Sequence, residues 1–73
     1  MKTDEIRALS TEEIIARLDD ARDAYFRTRF QIATGQITDH SALRRGRRTI
    51  ARFATVLRER ELAAELQGET DEQ

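Results

Sequence analysis

The residues best equipped for chemistry are five arginines, Arg44, Arg45, Arg47, Arg48 and Arg52, set in the stretch LRRGRRTIARFATVLRERE from Leu43 to Glu61. The first half of that stretch has no acid. A guanidinium offers a planar fork of donors that matches phosphate oxygens and also stacks on bases. The chemistry implied is recognition of a polyanion. Catalysis has little to work with. The chain has no cysteine, one histidine and one lysine, Lys2. Ser10 and Ser41 stand where helices start, and Glu12/Glu13 and Asp19/Asp20 are adjacent pairs that do not share a helical face. No glycine-rich phosphate loop is present. His40 has no Cys, His or carboxylate set at metal spacing. Neither an enzyme, a metal site, a cofactor nor a small-molecule substrate is therefore expected.

The arginines must be presented by something. A helix turns by about 100° per residue, so Leu43, Ile50, Phe53 and Leu57 fall on one side of this stretch. Arg44, Arg45, Arg48 and Arg52 gather on roughly the other, with Arg47 flanking. One face can pack while the other meets phosphate. With no proline, three glycines and many helix formers among its 73 residues, the chain reads as a single small all-α domain. No apolar run reaches the roughly 20 residues needed to cross a bilayer, and the opening MKTDEIRALS lacks a signal-peptide core. A soluble intracellular protein is expected.

Charge is distributed unevenly behind a net value of -1. Residues 1–24 carry four basic and seven acidic side chains, residues 25–60 nine and two, and residues 61–73 none and five. A basic centre between acidic ends is the footprint of a polyanion-binding surface.

In chain order, Thr3 caps a short helix over 3–9. Ser10 and Glu13 form a capping box, with Leu9 and Ile14 as a hydrophobic staple that folds the first helix back on the second. The second helix spans 10–34. Ile14, Leu18, Ala21, Tyr25, Thr28 and Ile32 recur at spacings of 4, 3, 4, 3 and 4 as a narrow packing seam. Ile15, Phe26, Phe30 and Ala33 form a second stripe beside it. Packing against the N-terminal helix and the hairpin edge is the favoured reading of Phe26 and Phe30; docking of a protein or RNA neighbour is the sharper one, and both are candidate protein contacts. Gly35 stops the second helix, and a short loop capped by Thr38 or Asp39 returns the chain antiparallel. The third helix spans 41–66 through Leu43, Gly46, Ile50, Phe53, Leu57 and Ala64. Residues 67–73 are a frayed acidic tail. The fold expected is a long antiparallel helical hairpin with a short N-terminal helix.

The run RFQIATGQI from Arg29 to Ile37, the run RRTIARFATVLRERE from Arg47 to Glu61 and the opening MKTDEIRALSTEEI together resemble the bacterial large-subunit ribosomal protein family numbered twenty-nine. The resemblance implies a structural constituent of the large ribosomal subunit in the cytoplasm. It implies rRNA binding near the mouth of the nascent-chain exit tunnel, beside the ribosomal protein numbered twenty-three, with targeting or chaperone factors docking close by. The positions matching the family's motifs are Arg29, Phe30, Gln31, Gly35 and Gln36 at the hairpin and Arg47, Arg48, Ile50, Ala51 and Arg52 on the third helix. The family usually has leucine at positions 21, 25 and 28, where this chain has Ala21, Tyr25 and Thr28, and often an aliphatic residue in place of Gly46. Residues and resemblance together give Arg29, Gln36, Arg44, Arg45, Arg47, Arg48 and Arg52 as the RNA-binding set. The alternative is an antiparallel coiled-coil interaction module that dimerises through Phe26 and Phe30.

Overall fold

The computed structural model describes residues 1–71, with positions 69–71 given by their backbone alone. Three helices follow one another: α1 (Thr3–Arg7), α2 (Thr11–Ala33) and α3 (Ser41–Asp71). There is no strand among the described residues. The expected all-α hairpin with a short N-terminal helix is the observed architecture. The molecule is a rod, 58 × 20 × 17 Å.

Local chemistry sets the boundaries. The Ser10 side chain accepts a hydrogen bond from the Glu13 N–H at 3.1 Å, which fixes the start of α2. At its other end Gly35 takes a φ of 76°, the left-handed conformation that glycine adopts without strain. The Gln36 N–H then donates to Gln31 O at 2.8 Å, and the Gly35 N–H to Ile32 O at 3.1 Å. These two bonds satisfy carbonyls that the helix end leaves without partners and turn the chain back. The third helix does not stop at 66 but runs on to Asp71. Gly68 costs about 1 kcal/mol relative to alanine, and no proline is there to end the helix. Of the expected frayed tail, residues 72 and 73 lie outside the described residues.

The fully buried core is small: Ile6, Ile14, Leu18, Phe53 and Val56, with Leu9, Ile50 and Leu57 packed against it. Each buried aliphatic or aromatic side chain contributes about 1.5–3 kcal/mol. All of the core lies at the end of the rod where α1 joins the hairpin. The α2 seam faces inward throughout, but Ala21, Tyr25, Thr28 and Ile32 are only half-buried.

Two expectations about packing are corrected. α1 lies chiefly against α3, not against α2. As a result α3 buries a wider face than its Leu43–Ile50–Leu57 line suggested. Val56, absent from the expected seam, is among its most buried residues because α1 covers that side with Ile6. Ala64, expected in the seam, is exposed, as is every residue from Glu61 to Gly68.

Candidate nucleic-acid interface

The first turn of α3 is tied down by its own polar side chains. Asp39 Oδ1 accepts from the Ser41 N–H at 2.9 Å and from the Ser41 hydroxyl. Arg45 folds back over this turn. Its Nη1 donates to Ser41 Oγ at 2.9 Å, and its Nη2 lies 3.7 Å from Asp39 Oδ2. The Ser41 hydroxyl bond, then the Ser41 N–H bond and then the Arg45 charge hold the Asp39 carboxyl below the usual aspartate range. Arg45 is thus partly committed within the chain. Arg52 is as well: its Nη1 donates to the Met1 carbonyl oxygen at 3.3 Å.

Arg44, Arg47 and Arg48 differ from these two. They are exposed and point away from the face that holds Phe53 and Val56. They make no side-chain hydrogen bond or ion pair among the described residues. Three guanidinium groups within five positions, with no carboxylate on them, leave a strong local demand for anions. The five arginines of α3 therefore divide into three outward cations and two that hold an internal partner.

At the hairpin end, Arg29 extends over the Tyr25 ring, with its guanidinium carbon 6.0 Å from the ring centroid. That contact holds the side chain along the rod and is worth about 0.5–1 kcal/mol at an exposed site. Gln36 is exposed beside Gly35, with its backbone already used in the turn. His40 Nδ1 lies 3.0 Å from Thr38 O, and no group of metal-ligating side chains occurs among the described residues.

Phe26 and Phe30 do not pack inside the fold, contrary to the favoured sequence reading. They are 71% and 60% exposed. The physical reason is their place on α2, outside the line of Ala21, Tyr25, Thr28 and Ile32 that faces α3. The five residues of α1 lie at the other end of the rod and do not reach this stripe of α2, and Ile15 on the same stripe is exposed too.

Sequence reasoning missed one arginine with a structural task. The alternating charges of Arg58–Glu59–Arg60–Glu61 are the pattern of a mixed solvated face, and the Arg58–Glu61 pair at 3.2 Å fits it. Arg60 does not. It is half-buried, and its guanidinium donates to Arg7 O at 2.9 Å, Leu9 O at 2.6 Å and Thr11 Oγ1 at 3.0 Å. These carbonyls are left without intrahelical partners where α1 ends. Beside it Arg7 Nη2 pairs with Glu59 Oε1 at 3.2 Å, and Arg7 Nη1 with Asp4 at 3.3 Å. The Glu59 hydrogen bond and charge raise the Arg7 pKa. The available signal was position: Arg60 follows Phe53 by seven residues and Val56 by four, on the buried face.

The model for the family described as Ribosomal L29 protein matches residues 4–60, which spans α1, α2 and the arginine-bearing part of α3. The chain belongs to this family. It is 52% identical over 58 residues to the large ribosomal subunit protein uL29 of Corynebacterium glutamicum, covering 80% of this chain and 76% of that protein. The uL29 of Streptomyces coelicolor is 47% identical over 64 residues, covering 88% of this chain and 86% of the relative. The uL29 of a Thermoanaerobacter species is 50% identical over 62 residues, with 85% and 90% covered. The family match includes all five arginines of the α3 face. It also includes Tyr25 and Gly46, which meet in this fold: a Cβ at position 46 would lie 3.0 Å from Tyr25 Cδ2. Tyr25 and Gly46, two of the four departures named above, thus face each other, and the ring takes space that a side chain at 46 would fill.

Proposed function

We propose that this chain, a structural and non-enzymatic constituent of the large ribosomal subunit in the cytoplasmic ribosome, binds rRNA through the outward arginine face of α3. The observation that carries the reading is the set Arg44, Arg47 and Arg48, which the fold leaves exposed and, among the described residues, without a carboxylate partner. Arg45 and Arg52 join them by exchanging exposed internal contacts for phosphate, and Arg29 and Gln36 extend the contact line to the hairpin end. The mechanism is charge neutralisation by a rigid spacer. Each guanidinium that reaches a phosphate releases condensed counterions, so affinity falls steeply with salt. Contacts go mainly to phosphate and sugar of a folded RNA, and shape and charge matter more than base edges. The site lies near the mouth of the nascent-chain exit tunnel, beside the large-subunit protein numbered twenty-three, where targeting or chaperone factors dock.

The test is binding of the chain to large-subunit rRNA across a salt series, with co-sedimentation on large subunits washed at rising salt. A steep negative slope of log K against log salt supports the reading. A slope near zero contradicts it. A stable dimer indifferent to RNA, detected by sedimentation, supports the coiled-coil module instead.

A further inference from the structure

Phe26 and Phe30 stand one helical turn apart on the outer face of α2, largely exposed, and the surface is notched on both sides of them. One notch is lined by Phe26, Phe30, Asp23 and Arg27. The other is lined by Phe26, Phe30, Arg29 and Ala33 and contains no acid. Two bare aromatic rings are costly to leave in water, since each holds well over 100 Å² of apolar surface. A cation rims each notch, and Arg29 is steadied over Tyr25 at 6.0 Å. Aromatic faces flanked by arginine suit a ligand that is flat, apolar on its faces and joined to phosphate.

We propose that the acid-free notch of Phe26, Phe30, Arg29 and Ala33 is a stacking site for an unpaired nucleobase of the rRNA, with Arg29 on the adjoining phosphate. The inference rests on the rRNA-binding reading above and adds a second, differently built contact to it. The α3 face works by charge and tolerates any sequence of phosphates. The α2 notch works by stacking and needs a base that has left its helix. Charge complementarity favours RNA over a protein occupant here: the rim brings two arginines, and its one carboxylate, Asp23, borders the other notch.

The chain contains no tryptophan, so Phe26→Trp and Phe30→Trp each place a single indole in the patch. On titration with deproteinised large-subunit rRNA, the indole emission is expected to be quenched and shielded from acrylamide. Phe26→Leu and Phe30→Leu, at exposed positions the fold does not depend on, are expected to weaken binding on the order of tenfold each, as loss of one base–aromatic stack does. They should leave the salt slope unchanged, because no charge is removed. Salt-dependent binding with unaltered indole emission and full affinity of the leucine variants overturns the stacking site and leaves the α3 reading standing. So does a photo-cross-linker at position 30 that labels only protein in assembled subunits. Absence of salt-dependent rRNA binding by the unsubstituted chain overturns both.

Discussion

The two ends of the rod are built differently. Where α1 joins the hairpin, Ile6, Ile14, Leu18, Phe53 and Val56 are closed off from water and Arg60 seals the helix junction with three hydrogen bonds. Toward the loop the same two long helices meet through Ala21, Tyr25, Thr28, Gly46 and Thr49, all half-buried around a shallow groove. The first end resembles a miniature globular core and the second a two-helix contact with small residues. The lesson is that α1, only five residues long, decides where the protein is stable. It supplies the third side that a two-helix contact lacks. The loop end keeps its phenylalanines and arginines exposed.

The largest expected effect breaks the closed end. Ile14→Ala should cost about 2–5 kcal/mol, through reduced burial and the cavity left behind. Thr28→Ala at the open end should change stability by about 0.5 kcal/mol or less. Urea unfolding followed by helical circular dichroism measures both. Equal losses at the two positions would erase the distinction.

Next comes the junction. Arg60→Met removes hydrogen bonds to Arg7 O, Leu9 O and Thr11 Oγ1, and should cost about 1–3 kcal/mol. Arg7→Ala removes two exposed ion pairs and should cost much less. Hydrogen exchange at the amides of α1 should rise sharply in the Arg60 variant and little in the other.

The open end has its own test in the Tyr25–Gly46 pair. Alanine at 46 gains about 1 kcal/mol of helix propensity but meets the Tyr25 ring at 3.0 Å. Gly46→Ala should therefore stabilise more in a Tyr25→Leu background than alone, by about 0.5–1 kcal/mol in a double-mutant cycle. Additive effects would mean that the two positions do not sense each other.

The smallest effect is at the α3 cap. The Asp39 carboxyl titrates below the usual aspartate range because its charged form is hydrogen-bonded to Ser41 and faces Arg45. A lowered folded-state pKa means that its stabilising contribution is complete above the unfolded value and is lost as pH falls through the folded one. The Ser41 amide shift should follow that acid titration, and Asp39→Asn should abolish the dependence. A midpoint at or above the ordinary range would remove the cap from the account.

Much of this was legible in the residues. The 4-3-4-3-4 spacing on α2, the Ser10 box and Gly35 specify a hairpin because each acts within one or two turns of its own chain. The arginine face was readable for the same reason. What depended on tertiary placement was not. Nothing local tells whether α1 lies on α2 or α3, so the burial of Val56 and the capping by Arg60 went unread together, and the choice between a packed and an exposed Phe26 and Phe30 stayed open. The split within the arginines was hidden too, since Arg45 and Arg52 differ from Arg44, Arg47 and Arg48 only in what lies within reach of their tips.

That split gives the most direct test of the claim that the outward face of α3 grips rRNA. Binding to large-subunit rRNA should be measured against salt for the unsubstituted chain, for an Arg44→Gln/Arg47→Gln/Arg48→Gln variant and for an Arg45→Gln/Arg52→Gln variant. The triple variant should lower the slope of log K against log salt by about 0.7–0.9 for each phosphate it no longer neutralises, and the double variant by less per residue removed. An unchanged slope in the triple variant, with the fold intact, would contradict the account.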